Sequence, residues 1–220
     1  MSDPVSRALE EAPFDDEPLT EEEIRALDAA EAEGGPRLSS EEVRDLFGFG
    51  TERERTNNDL NTPEEIVELV RMVAPIALDP CSNPWSKVKA RRAYDEEEDG
   101  FFRDWVEEIR EAGGGLAYVN PPYGPGLLLP WAIKITTEAR RGAEIISLVP
   151  GSHDTQWFNH KLEHANALCN WRGRISFDGG GHGAGKFAST LFYFGPNPYL
   201  FAHIFQHKGD VRVLNERNRR

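Results

Sequence analysis

The sequence predicts an α/β fold with a mostly parallel sheet and antiparallel strands at its C-terminal edge. Between residues 61 and 167, short apolar runs typical of buried strands alternate with segments whose apolar residues recur at helical spacing. Beyond residue 170 this alternation ends, and strand-like segments follow one another with turns between them. Alternating strands and helices favour parallel strand pairs, whereas consecutive strands favour antiparallel ones.

Local signals place each element. A capping hydroxyl, a proline in the first turn and two acidic residues begin the first helix at Asn61-Thr62-Pro63, and Pro75 ends it. Further helices are predicted over 101–112, 131–141 and 154–167. Strands are predicted over 76–79, 116–119, 144–149, 174–177, 190–194 and 199–205.

The distribution of charge predicts two parts, an acidic leader over residues 1–50 and a globular domain over 51–220. The leader holds 15 acidic and 4 basic side chains, so the net charge of −13 comes mainly from it. We expect it to be largely mobile, with short helices at 20–33 and 40–47. An alternative is an acidic mimic of nucleic acid that covers a basic groove of the domain.

Composition excludes several classes of protein. Cys81 and Cys169 are too few for a disulfide scaffold or a four-cysteine zinc site. No apolar stretch is long enough to cross a bilayer, and the N-terminus lacks a secretory pattern, so we expect a cytoplasmic protein without a membrane partner. His153, His160 and His164 lie near one another but match no zinc motif, and no metal is predicted. His160 and His164, four residues apart, are expected on a solvated helix face.

The tetrapeptide Asn120-Pro121-Pro122-Tyr123, at the end of a predicted strand, carries the most specific chemistry. An exocyclic amine is a poor nucleophile because its lone pair is delocalised into the ring. The Asn120 side-chain oxygen and the Pro121 carbonyl can accept its two hydrogens, and the two prolines fix these acceptors in advance. Tyr123 offers a flat face for a base. An ordinary rigid turn is the alternative, but the strand-end position favours a methyltransferase that acts on amines.

The chain from about Asn58 to Gly195 resembles the phage-type DNA N-6-adenine methyltransferases, a Dam-like family. The resemblance rests on the order and spacing of short motifs rather than on any one of them. They are Asn58-Asp59, Thr62-Pro63, Leu78-Asp79-Pro80-Cys81-Ser82-Asn83, Asp99-Gly100-Phe101 with Trp105, Val119-Asn120-Pro121-Pro122-Tyr123-Gly124, Trp131 with Lys134, Leu148-Val149-Pro150, Asp154-Thr155, Trp157-Phe158 and Gly173-Arg174-Ile175-Ser176-Phe177.

This resemblance implies a Rossmann-like domain that binds S-adenosyl-L-methionine. The cofactor-binding residues it implies are Thr62, Pro63, Asp79, Pro80, Cys81, Ser82, Asn83, Asp99 and Phe101. Asp79 would accept from the cofactor's amino group, although a turn residue suits the same position. Asp99 and Phe101 would bind the adenosyl part, or belong to an acidic loop and the core. Many methyltransferases have a Gly-x-Gly loop after the first strand, and none is present here.

The substrate implied is double-stranded DNA, whose adenine must be flipped out to be reached. Residues 161–220 hold 9 bases and 4 acids, and Arg172, Arg174 and Lys186 flank the glycine-rich segment there. We expect these three side chains to bind phosphates, although solubility alone can explain such charges. We favour a monomer. The family also suggests a phage origin and protection of DNA from restriction.

Two alternative functions stay open. An Asn-Pro-Pro-Tyr motif also suits amines on RNA bases and glutamine amides on proteins. A catalytically silent DNA-binding relative would keep the sheet without the chemistry, and the missing glycine loop is compatible with it.

Overall fold

The computed structural model describes residues 61–95, 98–124, 126–177 and 188–214. The predicted leader at 1–50, Lys186 and most of the glycine-rich segment lie outside these ranges. The strands are β1 (Ile76–Asp79), β2 (Arg92–Ala93), β3 (Leu116–Val119), β4 (Ile145–Pro150), β5 (Ala167–Trp171), β6 (Ser189–Phe194) and β7 (Gly209–Val213). The helices are α1 (Glu64–Val73), α2 (Trp105–Glu111), α3 (Leu128–Arg140), α4 (Gln156–His164) and α5 (Pro198–Phe205), with a 3-10 turn at Gly100–Phe102.

The seven described strands form one sheet in the order β2-β1-β3-β4-β6-β5-β7. The neighbours β2-β1, β1-β3 and β3-β4 are parallel, and β4-β6, β6-β5 and β5-β7 are antiparallel. The α/β class and the antiparallel C-terminal strands are therefore confirmed. The sheet is mixed, parallel in its first half only, because β5 and β7, neither of which the sequence predicted, pair antiparallel in the second half.

Helices cover both faces of the sheet. Alternate side chains of β3 and β4 enter opposite cores: Tyr118 and Leu148 pack with α1 and α5, whereas Val119 and Val149 pack with α2, α3 and α4. Both β1 and β3 are buried along their whole length, as strands between two helical layers must be. The arrangement is a three-layer sandwich.

The first helix forms as predicted, but its beginning differs. It buries Ile66, Val67 and Val70 on one face. The N-cap residue is Pro63, and no side chain caps the helix. The predicted capping hydroxyl is wrong, because the Thr62 Oγ1 atom lies 2.9 Å from the hydroxyl of Tyr118 on β3 instead.

The larger differences between the predicted and the observed elements lie in the second half of the chain. Residues 199–205 form helix α5 rather than a strand, since Phe201 and Phe205, four residues apart, are the pair that enters the core. The predicted strand at 174–177 pairs with no described strand, and its buried Ile175 and Phe177 pack against the core from a loop. The predicted helix at 154–167 ends at His164, and its last residue begins β5.

Other helix boundaries differ less from the prediction. The helix predicted over 101–112 begins at Trp105, because the Asp104 side chain accepts from the Glu107 N–H and caps it there. The helix predicted over 131–141 begins one turn earlier, at Leu128. The short strand β2 was not predicted.

Strand order determines where a ligand can enter. From β1 the chain crosses outward to β2, whereas from β3 it crosses in the opposite direction to β4. The strand order therefore reverses between β1 and β3, and open α/β sheets bind ligands in the crevice at the carboxyl ends of such strands. Asp79 ends β1 and Asn120 follows β3. Two of the predicted site segments thus flank this crevice.

Candidate active site

Asp79 is a buried carboxylate at the mouth of the crevice. Its side chain is 3% exposed and accepts from the Cys81 N–H at 3.2 Å and from the Ser86 hydroxyl at 3.3 Å. Burial raises the pKa of Asp79 from 3.8 to about 6, although these hydrogen bonds lower it in part. A bound cation would compensate for this desolvation, so the carboxylate suits an ammonium or sulfonium group.

The loop after β1 is held by its own polar side chains. The Asn83 amide donates to the Asn61 side-chain oxygen at 2.8 Å, next to the N-terminus of α1. The Ser82 N–H donates to the Tyr94 carbonyl oxygen at 2.9 Å. These bonds bring together the loop, the residues before α1 and the end of β2.

Cys81 is a neutral packing residue in this arrangement. Burial raises the pKa of its thiol well above the ordinary value, and the neighbouring Asp79 carboxylate raises it further. The side chain packs against the core that contains α2, α3 and α4.

Gly100 lets its segment pack closely against the backbone of the β1 loop. A Cβ atom at Gly100 would lie 2.3 Å from the Pro80 carbonyl oxygen and 2.7 Å from the Pro80 Cα. Only a glycine lets the 98–102 segment contact the β1 loop so closely.

The same contact positions Asp99 and Phe101 beside the β1 loop. Asp99 adopts a left-handed backbone conformation (φ 56°) at the start of the 3-10 turn. Phe101 packs edge-on against Phe102 and Trp131, with ring centroids 5.1 and 5.0 Å apart. Phe101 is only partly buried and packs against the core that contains α2, α3 and α4.

The Asn120–Tyr123 segment follows β3 directly. The Tyr123 hydroxyl donates to the Asn120 Oδ1 at 2.6 Å and lies 3.2 Å from the Leu148 carbonyl oxygen on β4. This bond orients the Asn120 amide, with Oδ1 as the acceptor. Pro121 is buried and Pro122 half-buried, which anchors the turn.

Electrostatic coupling joins this segment to the β1 loop. Burial raises the pKa of Tyr118, and the Asp79 carboxylate raises it further. Burial likewise raises the pKa of Tyr123, with smaller contributions from Tyr118 and Cys81. The residues predicted to bind the cofactor and those predicted to hold the base therefore share one neighbourhood.

Two of the three predicted phosphate-binding residues lie at the same edge of the sheet. Strand β5 runs in the direction of β4, because both pair antiparallel with β6, so Arg172 and Arg174 follow its carboxyl end. Both are exposed. The segment continues to Phe177, whose ring meets that of Tyr123 at 84° with centroids 6.4 Å apart. Lys186 is outside the described residues.

Lys161 is a buried charge that the sequence analysis did not select. Its side chain is 0% exposed, and Nζ donates to the Ser147 hydroxyl at 2.8 Å. Burial lowers its pKa from 10.5 to about 7, and the nearby Cys81 opposes this shift only in part. The sequence could have indicated this burial, since Lys161 falls at helical spacing from Trp157 and Phe158 and shares the buried face of α4 with them.

The histidines of α4 pack against α3. The Nε2 atom of His160 lies 2.8 Å from the Thr136 hydroxyl, and His164 accepts from Arg140 at 2.5 Å. The expected solvated helix face is therefore wrong for these two. Within the described ranges, no three His, Cys, Asp or Glu side chains are grouped so as to hold a metal ion, and no helix is long and apolar enough to span a membrane.

The structure is an α/β domain whose strand order reverses between β1 and β3. The family model for DNA N-6-adenine-methyltransferase (Dam) matches residues 50–191, more than half of the chain. The chain belongs to this family, whose members are methyltransferases for adenine in DNA. Comparisons with curated proteins and with solved structures find no match.

Proposed function

We propose that the protein transfers a methyl group from S-adenosyl-L-methionine to the N6 amine of adenine in double-stranded DNA. The observation that carries the proposal is the juxtaposition at the crevice between β1 and β3. A buried carboxylate, Asp79, ends one strand, and the proline-fixed Asn120–Tyr123 segment follows its neighbour. Membership of the DNA N-6-adenine-methyltransferase family favours adenine over other amines.

The residues of the crevice fit the proposed cofactor. Asp79 provides a buried anion for its ammonium group, and the uncapped N-terminus of α1 after Pro63 suits its carboxylate. We propose that Phe101 and Asp99 bind the adenosyl part, supported by the close contact of their segment with the β1 loop. Pro80, Cys81, Ser82, Asn83 and Thr62 would shape the loop around it. When bound, S-adenosyl-L-methionine supplies an electrophilic methyl group on a sulfonium centre. We further propose that this domain is Rossmann-like, as the crossing of the chain between β1 and β3 favours.

In this mechanism the protein makes the adenine amine nucleophilic. The Asn120 Oδ1 and the Pro121 carbonyl oxygen accept the two N6 hydrogens, which turns the lone pair out of the ring plane. Tyr123 orients the Asn120 amide through its 2.6 Å hydrogen bond and offers its ring to the flipped base. Once the new C–N bond has formed, one N6 proton is lost to water, because the two amide oxygens accept hydrogen bonds but are too weakly basic to take up the proton.

The proposed path of the DNA runs along the same edge of the sheet. Arg172 and Arg174 are exposed beyond β5, on the side of the crevice that carries Tyr123 and Phe177. We propose that they bind phosphates flanking the flipped adenine, together with Lys186. Phosphate contacts offset the cost of flipping, which is about a few kcal/mol.

A methylation assay tests the proposal. The full chain is incubated with radiolabelled S-adenosyl-L-methionine and an adenine-containing duplex, and N6-methyladenine is identified in the digested DNA by mass spectrometry. Asn120→Ala should abolish transfer at saturating cofactor and DNA, because one of the two acceptors is lost. Label on RNA or on protein alone would instead support the other methyltransferases. DNA binding without any transfer would support a catalytically silent relative.

A further inference from the structure

Strand β7 forms one edge of the sheet, and its outer side pairs with no strand in the described part of the chain. It is last in the strand order and pairs with β5 alone. Proteins protect such edges by short strands, proline, lysine or bulges, because unpaired backbone groups can bind another chain. The opposite edge, β2, has only two residues. β7 has five residues in unbroken register with β5, and it contains neither proline nor lysine.

The backbone of β7 presents every second residue to the outside. The Lys208 carbonyl oxygen accepts from the Arg172 N–H at 2.9 Å, and the Leu214 N–H donates to the Asn166 carbonyl oxygen at 2.8 Å. In a regular antiparallel pair, hydrogen-bonded and non-hydrogen-bonded positions alternate, so the even-numbered residues of β7 bond to β5. The N–H and C=O groups that point away from β5 are therefore those of Gly209, Val211 and Val213.

The two exposed side chains of β7 carry opposite charges. Asp210 and Arg212 are two residues apart and thus share one face of the sheet, where their side chains are 59% and 65% exposed. The Arg212 Nε atom donates to the Asp210 carboxylate at 3.0 Å. An ion pair this exposed contributes little to the stability of the fold. Both charges are therefore accessible to a partner that approaches the edge.

We propose that β7 pairs antiparallel with β7 of a second copy of this chain, about a two-fold axis that passes beside Val211. In this register Val211 lies opposite Val211 of the second copy, and the outward N–H and C=O groups of the odd-numbered residues bond across the axis. Asp210 of each copy lies opposite Arg212 of the other. The two sheets become one continuous sheet, and the chain is a dimer rather than the monomer that the sequence favours.

The charges select this register over its neighbours. With the axis at Asp210, two aspartates would lie opposite each other, and with the axis at Arg212, two arginines would do so. Like charges directly opposite one another destabilise a strand pair, whereas opposite charges stabilise it. These side chains occupy non-hydrogen-bonded positions, where the facing Cα atoms are closest, at about 4.5 Å. The edge is therefore complementary to itself in one register.

The proposed dimer keeps the two candidate active sites apart. Its axis is perpendicular to the sheet and reverses the strand direction, so the carboxyl edge of one copy continues as the opposite edge of the other. The two sites open in opposite directions, and each acts alone, which makes the inference independent of the proposed function. Five paired residues bury less surface than a permanent dimer needs. We therefore expect a reversible dimer that forms at micromolar to millimolar concentrations.

Sedimentation velocity of the full chain over this concentration range is the test. Asp210→Arg and Arg212→Asp should each weaken the dimer by roughly 10- to 100-fold, because like charges then lie opposite one another. An equimolar mixture of the two variants should dimerise as the wild type does, since one carries only positive and the other only negative side chains at these positions. Neither variant retains the ion pair within the strand, so recovery in the mixture reports pairing between chains.

Val211→Pro tests the backbone bonds. It removes the central outward N–H and none of the bonds to β5, a position at which edge strands tolerate proline, and it should abolish the dimer. Val211→Ile keeps the N–H and is the matched control. Urea unfolding of dilute, monomeric protein should be unchanged in the charge variants.

Three results would each overturn the inference: a wild type that stays monomeric, single charge variants that dimerise like the wild type, and a mixture of the two that stays monomeric. A folded Val211→Pro protein that still dimerises would do the same. If Val211→Pro does not fold, the charge variants alone decide.

Discussion

Replacing Asp79 by asparagine is expected to stabilise the protein and to weaken cofactor binding. Asparagine keeps the shape of the side chain and can still accept from the Cys81 N–H, but it carries no charge. In the free protein the pKa of Asp79 is raised from 3.8 to about 6, chiefly by burial. One pKa unit corresponds to about 1.4 kcal/mol, so ionised Asp79 costs the folded state roughly 3 kcal/mol at neutral pH.

The sign of the effect follows from proton binding. Between pH 3.8 and about 6 the folded state holds the Asp79 proton more tightly than the unfolded state, so this contribution to stability is lost as pH rises through that window. The stabilisation by Asp79→Asn should therefore be near its full value at pH 8 and almost absent at pH 4. Urea unfolding at both pH values, without cofactor, measures it.

Cofactor binding should respond in the opposite direction. Loss of a charge-assisted hydrogen bond to the cofactor ammonium is worth about 1.5–3 kcal/mol, so calorimetry should show S-adenosylhomocysteine binding roughly 10- to 150-fold more weakly. Wild-type affinity should fall below pH 6 as Asp79 takes up a proton. Over that interval Lys161 stays charged and Cys81 stays neutral, so neither adds to the change.

Asp210→Asn serves as the control because Asp210 is exposed on β7. This variant should change neither the stability in urea nor the affinity for S-adenosylhomocysteine by much. An Asp79→Asn protein that is less stable than wild type at pH 8 would refute the burial argument. Unchanged affinity for S-adenosylhomocysteine would refute the role of Asp79 in binding the ammonium group.

Three further changes test other parts of the molecule. Lys161→Met should be more stable than wild type at pH 7 in urea unfolding. Between pH 7 and 10.5 the unfolded wild type keeps the Lys161 proton and the folded wild type does not, so the stability of the wild type should rise relative to the variant by about 1.4 kcal/mol per pH unit. Parallel pH profiles of the two proteins would contradict the burial of a charge. Arg174→Ala should reduce the salt slope of DNA binding by about 0.9, whereas an unchanged slope would remove Arg174 from the phosphate contacts. Gly100→Ala should lower both the melting temperature and the affinity for S-adenosylhomocysteine, because the new Cβ would lie 2.3 Å from the Pro80 carbonyl oxygen. Wild-type values of both quantities would show that the segment of Gly100 and the β1 loop move apart freely.

Local sequence determined the strands that line the site. Strands β1 and β3 have the predicted bounds because each is a short apolar run, buried on both faces, that begins after a chain breaker. A polar residue marks the end of each run, Asp79 within β1 and Asn120 directly after β3. The Asn120–Tyr123 motif was recognisable for the same reason, since its chemistry needs only adjacent residues. The carboxyl-end position of the site also followed from the alternation of strands and helices.

Short apolar segments were less well determined. Residues 199–205 alternate in polarity in part and also place Phe201 and Phe205 four residues apart, so they fit both a strand and a helix. The packing of these residues against β6 and α1 favours the helix over a strand. At 174–177 the alternation came from Ile175 and Phe177 entering the core from a loop, which a period-two pattern cannot distinguish from a strand.

Only the tertiary structure brought distant segments to one place. The bond between Thr62 and Tyr118 joins residues 56 positions apart, and Gly100 meets Pro80 through the backbone rather than through any motif. Which of several charged side chains is desolvated likewise depends on the layers above and below it, as Asp79 and Lys161 show. Sequence pattern specifies which local structure and chemistry a segment can provide. The pKa values and contacts that make a site depend on neighbours that only the folded chain supplies.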